Sequence, residues 1–221
     1  MRSHSENSSV YKQKEKAIIV NADGHSDALL WEKFKAGSKE AFDEIYEKFF
    51  QPLCSYGDKV CPDKSLVEDV VQDVFIHLWK KKEGLGGTNT IKFYLFLCLK
   101  RRLLRVLSQE KKRPHTISDV YRFDLMLKLP PDVSPEAEEM QIRLATALKQ
   151  LTDRQKEAIY LKFYNTLSFQ EVASIMDIEV RSVYNLIGRT IDILRADLKH
   201  SKLSASSLLS FIFLFLPELI Q

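Results

Sequence analysis

Val67-Glu68-Asp69-Val70-Val71-Gln72-Asp73-Val74-Phe75-Ile76-His77-Leu78-Trp79 is the stretch on which the fold turns. Val67, Val70, Val71, Val74, Phe75 and Leu78 recur at three- and four-residue spacing, which predicts a helix over Leu66 to Trp79 with one buried stripe. Glu68, Asp69, Gln72 and Asp73 fall on the opposite face, and Ile76 projects into the middle of them. Two readings compete for that face. A solvated helix with one stray apolar residue is common; an apolar centre with a charged surround is also how a helix-docking site looks.

The next helix is predicted from Ile91 to about Lys112 and has the opposite sign. Leu95, Phe96, Leu99, Leu103, Val106 and Leu107 form its broad buried face. Tyr94, Arg101, Arg105 and Lys112 line the other side, with Lys100 and Arg102 flanking them. Glu110 is the only acid after Ile91, so the usual four-residue pairing of Lys or Arg with Glu is missing. A basic face holding an aromatic suits a nucleic-acid backbone and an unstacked base. Between the helices, Lys80 to Asn89 reads as a flexible loop led by lysines.

Composition bounds what surrounds this pair. The 221 residues carry a net charge of only +3, so the basic helix is a local concentration. Cys54, Cys61 and Cys98 lack CxxC spacing and suit a reducing compartment rather than a disulfide framework or zinc site. Met1 to Asp27 has no apolar signal core, so export is not expected. Strand signals are almost absent, and the chain reads as all-α: two small helical domains joined by a flexible linker.

Upstream, one helix is predicted from about Ser26 to Ala36 with Leu29, Leu30 and Phe34 inward. Gly37 is its stop, and Ser38 the N-cap of the next helix. That helix turns Ala41, Phe42, Ile45, Tyr46 and Phe49 inward, and Pro52 is expected to kink or end it. Downstream, Pro114, Pro130 and Pro131 with Asp119, Asp124 and Asp132 mark an extended linker. Its apolar members, Val120, Tyr121, Phe123 and Leu125 to Leu127, suit a short helix, a partner contact or packing on a flanking domain.

A second domain is predicted to open at Ser134-Pro135, N-cap and first-turn proline. Thr152-Asp153-Arg154-Gln155 and Ser168-Phe169-Gln170-Glu171 are capping boxes. Asp177 suits a left-handed turn, and a longer helix follows from about Val180 to Leu198. Short helix, tight turn, longer helix is the helix-turn-helix plan, making this a four-helix unit. Arg181, Ser182, Tyr184, Asn185, Gly188 and Arg189 face outward where a recognition helix meets base edges. Glycine costs about 1 kcal/mol relative to Ala in mid-helix, a cost that close approach to a DNA backbone would explain. The apolar tail, Leu208 to Leu216, is shorter than the roughly 20 residues of a spanning helix; docking on a domain or partner is preferred to a membrane surface.

Residues from about Ala28 to Lys199 resemble the extracytoplasmic-function group of bacterial sigma factors, in the style of its Bacteroidetes members. Carrying the resemblance are Leu29-Leu30 through Gly37, Ala41-Phe42 with Tyr46, Val67 to Phe75 with Leu78-Trp79, Leu148 to Leu151, Ser168 to Ala173 and Ser182-Val183. It implies an N-terminal extension over 1–25, a region 2 domain over 26–113, a linker over 114–133, a region 4 domain over 134–200 and a tail over 201–221. Glu68, Asp69, Gln72, Asp73 and Ile76 would bind the clamp helices of the polymerase β′ subunit. The loop Lys82 to Thr90, with Tyr94, Lys100, Arg101 and Arg105, would open and read the −10 element. Arg101 stands where many relatives carry Asn, which suits a phosphate contact. Arg181, Ser182, Tyr184, Asn185, Gly188 and Arg189 would read the −35 element. The resemblance further implies a cytoplasmic, non-enzymatic protein with no cofactor, no metal and no small-molecule substrate. Its partners would be core RNA polymerase (β′ clamp helices and β flap), promoter DNA and a membrane-bound anti-sigma factor. A free-standing helix-turn-helix regulator is the alternative; it has no need of the acidic face.

Overall fold

Gly37 sets the first corner of the chain. The computed structural model describes residues 22–88, 90–110, 123 and 135–198. Helix α1, Ala22–Lys35, ends where Gly37 adopts φ +92°, a left-handed backbone that favours glycine. Ser38 then caps α2, Lys39–Val60, by accepting a hydrogen bond from the Ala41 N–H at 3.1 Å. Within α1 the inward residues are Leu30, Trp31 and Phe34, whereas Leu29 is exposed. Trp31 takes the place expected of Leu29 because its ring packs on Phe34 and Tyr94, with centroids 5.3 Å away in both cases.

Pro52 neither ends nor replaces any part of α2, which continues for two more turns to Val60. The apolar stripe explains why: Leu53, Cys54, Tyr56, Gly57 and Val60 are all buried beyond the proline. Their burial offsets the roughly 3 kcal/mol that an interior proline costs a helix. Asp63 caps α3, Lys64–Lys81, accepting from the Leu66 N–H at 3.1 Å. A short 3₁₀ turn, Lys82–Gly84, leads toward α4, Ile91–Glu110. The α3 stripe is buried as its spacing predicts: Val67, Val70, Val71, Val74, Phe75 and Leu78. An aromatic seam closes the unit, with Phe42 5.1 Å from Trp79 and Tyr46 4.8 Å from Phe75.

The second unit comprises α5, Pro135–Lys149; α6, Asp153–Ile159; α7, Phe169–Met176; and α8, Val180–Leu198. Both capping boxes form, Thr152 with Gln155 and Ser168 with Glu171. A π turn over Tyr160–Tyr164 extends α6, widening its last turn with an Asn165 N–H to Tyr160 C=O bond of 3.0 Å. Asp177 takes φ +54° between α7 and α8, as expected of the tight turn. Val183, Ile187, Ile191 and Leu194 of α8 are buried against the rest of the unit. No strand occurs among the described residues. The Ser134 cap, Lys112, the tail, residues 1–21 and all of the linker except Phe123 lie outside them, whereas residues 22–25, expected to belong to the N-terminal extension, form the first turn of α1.

The two units touch. Helix α4 packs on α7, and Phe123 is buried between Tyr56 of α2 and Tyr160 of the π turn, at 6.0 and 5.5 Å.

Candidate functional site

On α3, Glu68, Asp69, Gln72, Asp73 and Ile76 are all exposed. Ile76 keeps 50% of its surface in water, one of the few large apolar side chains among the described residues that do. Asp73 is engaged, because its carboxylate receives the Arg102 guanidinium at 2.5 Å. The two oppositely charged faces are therefore tied together at one point, and Glu68, Asp69 and Gln72 remain as the open acidic patch around Ile76.

The loop between α3 and α4 is held more firmly than its glycines suggest. Trp31 donates its indole N–H to the Gly86 carbonyl at 2.9 Å. Lys82 lies over the Trp79 ring, 4.3 Å from its centroid. From this base α4 starts, with Arg101 and Arg105 exposed and Tyr94 half-buried. Burial, and then the neighbouring Cys98, push the Tyr94 phenol up to about 12. It stays neutral at physiological pH, an aromatic face beside two cations.

Lys100 departs from the basic face. It is buried, and its ammonium pairs with Glu157 of the second unit at 2.6 Å. Helical phase accounts for this: Lys100 lies four residues after Phe96 and three before Leu103, in the apolar row. Arg101 and Arg105 lie four apart on the wet side. Arg102 is likewise spent on Asp73. Of the four residues expected to meet DNA from α4, the structure gathers Tyr94, Arg101 and Arg105 on one surface and sets Lys100 in another.

On α8, Arg181, Ser182, Asn185 and Arg189 are exposed, and Tyr184 and Gly188 partly so. Tyr184 stacks on Phe169 of α7 with centroids 3.9 Å apart, fixing the angle between the two helices. A Cβ built on Gly188 meets nothing within 4 Å, so the protein itself does not require glycine there. The sequence does not single out Tyr56, Glu157, Tyr160 or Lys92, and it marks Thr90 only as a loop residue and Glu171 only as a cap, yet all six join the units. A carboxylate at Glu157 between buried neighbours was the available signal. No group among the described residues is arranged to hold a metal, and none of their helices is long and apolar enough to cross a membrane.

An all-α pair of units, one of them carrying a short helix, a tight turn and a longer helix with an exposed face, has the helix-turn-helix plan found in DNA-binding proteins of transcription. Residues 45–113 match the family Sigma-70 region 2, and residues 141–192 match the family Sigma-70, region 4. The chain belongs to the extracytoplasmic-function sigma factors, initiation factors that direct RNA polymerase to promoters. That membership sets aside the free-standing regulator. It is similar to the ECF RNA polymerase sigma-E factor of Escherichia coli K12, 25% identical over 173 residues that span 74% of this chain and 90% of the relative. The sigma-E factor of Haemophilus influenzae is 24% identical over 172 residues, again 74% and 90%. Among solved structures, the fold resembles the sigma factor RpoE of Bartonella quintana, solved with the anti-sigma factor NepR. The TM-score is 0.50 at 20% identity, covering 73% of this chain and 98% of that one.

Proposed function

We propose that the two units divide the work of promoter recognition. Residues 26–113 act as the region 2 domain, which binds core polymerase and opens the −10 element, and residues 134–200 as the region 4 domain, which reads the −35 element. The observation that carries this reading is the pairing of an acidic, Ile76-centred face with a basic helix in one unit. Glu68, Asp69, Gln72 and Ile76 form the docking face for a polymerase helix pair, and Asp73 shares its charge with Arg102. Tyr94, Arg101 and Arg105 meet the opened strand, with Tyr94 stacking on a base and the arginines on phosphate. Arg181, Ser182, Tyr184, Asn185 and Arg189 enter the major groove, and Gly188 lets the DNA backbone come close. The protein acts in the cytoplasm without catalysing a reaction of its own. An anti-sigma factor is its regulator, a reading supported by the B. quintana neighbour's complex with NepR.

Run-off transcription with purified core polymerase tests the whole reading. Promoter-dependent transcripts are expected only when this chain is added. A chain that binds promoter DNA but yields no transcript and no complex with core polymerase would overturn it.

A further inference from the structure

Glu157 is the most deeply buried carboxylate among the described residues, 1% exposed on α6. One of its oxygens accepts from the Tyr56 hydroxyl at 2.5 Å and from the Lys100 ammonium at 2.6 Å. Both donors belong to the other unit, 101 and 57 residues away in sequence. Around this charge pair lie Phe96, 5.2 Å from Tyr56, and Tyr160, stacked 6.2 Å from Tyr56. The same interface has two outer contacts. Thr90 donates to Glu171, and Lys92 donates to the Asn165 carbonyl at 3.2 Å. Two lysines of the basic helix thus face the second unit instead of solvent.

A buried ion pair is held in register by geometry and desolvation, and removing one partner strands the other charge away from water. Water or phosphate can take over from Glu157 only if the units separate. We infer that Glu157 is the latch of a closed, self-inhibited form, and that a nucleic-acid phosphate backbone replaces it on Lys100 when the protein engages a promoter. Lys100 has two alternative anions, one on its own chain and one on DNA. In the closed form α4 offers Tyr94, Arg101 and Arg105 but withholds Lys92 and Lys100. In the open form Lys92 and Lys100 become accessible as well, on the flank of α4 turned away from Tyr94, Arg101 and Arg105. The DNA half of the inference rests on reading α4 as the strand-opening helix; the latch itself does not.

The test uses the full chain with donor and acceptor dyes on Ser65→Cys and Ser174→Cys, both exposed positions in different units. Cys98→Ser removes the half-buried thiol, and Cys54 and Cys61 are buried. The parent should show one high-transfer population. Glu157→Ala should lower the transfer, and Glu157→Gln should lower it less, because an amide still accepts from Tyr56. Glu157→Lys with Lys100→Glu should restore high transfer. Unchanged transfer in Glu157→Ala, at unchanged helicity, overturns the latch and leaves the sigma-factor reading untouched. A promoter fragment pre-opened over its −10 element, added without polymerase, tests inhibition. Glu157→Ala should bind it about 5- to 150-fold more tightly than the parent, the usual span of coupling between two sites. Opening with no gain in affinity overturns self-inhibition. The swapped pair, closed again but carrying an acid on α4, should bind worse than either.

Discussion

Ile76 has half of its surface in water at the centre of Glu68, Asp69 and Gln72, so its replacement leaves every buried contact of α3 in place. Ile76→Asp should therefore leave the melting temperature within a degree or two of the parent, as surface substitutions do. If Ile76 anchors a polymerase helix, affinity for core polymerase should fall about tenfold or more, a loss above roughly 1.4 kcal/mol. Fluorescence titration with labelled core reads this directly, and unchanged affinity would remove Ile76 from the docking face. The residue was legible in the sequence because an apolar side chain out of helical phase is a local anomaly. Lys100 was equally legible in phase, standing four residues after Phe96. The family resemblance sets it with Arg101 at the −10 element, and shared charge carries no information about which way a helix position points.

At the scale of elements, two glycines in helices should respond to alanine with opposite signs. Gly57 lies where α2 crosses α3, and a Cβ there would fall 2.5 Å from Cγ1 of Val67. Val67 is β-branched and stiff at χ1, so the helices must separate. Gly57→Ala should cost about 1–3 kcal/mol despite the better helix propensity of Ala. Gly188 has open space around it, so Gly188→Ala should stabilise the free protein by about 0.5–1 kcal/mol. If DNA backbone approaches α8 there, the same change should weaken binding to a −35 duplex. Thermal melts with and without the duplex separate the two effects, and a Gly188→Ala protein that melts higher and binds equally well would end the close-approach role. Caps were readable because capping is written within four residues, as Thr152 with Gln155 and Ser168 with Glu171 show. Pro52 does not end α2, because the burial of Leu53, Tyr56 and Val60 against other helices carries the helix past it, and that burial lies outside its own sequence window. The π turn at Tyr160–Tyr164 has no comparable local signature.

For the whole molecule, the sequence read as two units on a flexible tether, yet their aromatic residues meet across the gap. Tyr56, Phe96, Phe123 and Tyr160 form one cluster, drawn from the first unit, the connecting segment and the second unit. Such contacts join residues far apart in the chain, and no periodicity within either unit announces them. Phe123 is the informative member because it is 1% exposed and belongs to neither unit's own helices. Truncating a buried phenylalanine typically costs about 3–5 kcal/mol through lost burial and the cavity left behind. Here the cavity would open between the units, while the stripe of α3 and the capped helices α6 and α7 keep their own partners. The loss should therefore fall on the coupling between units rather than on either core. Calorimetry of the parent should give one endotherm in which both units unfold together. Phe123→Ala should split it into two, with the lower transition shifted further from the parent than the higher one. A single endotherm at the parent's temperature would mean that Phe123 bridges nothing, and the contact between units would then rest on Glu157 with its two donors and on the outer contacts of Thr90 and Lys92.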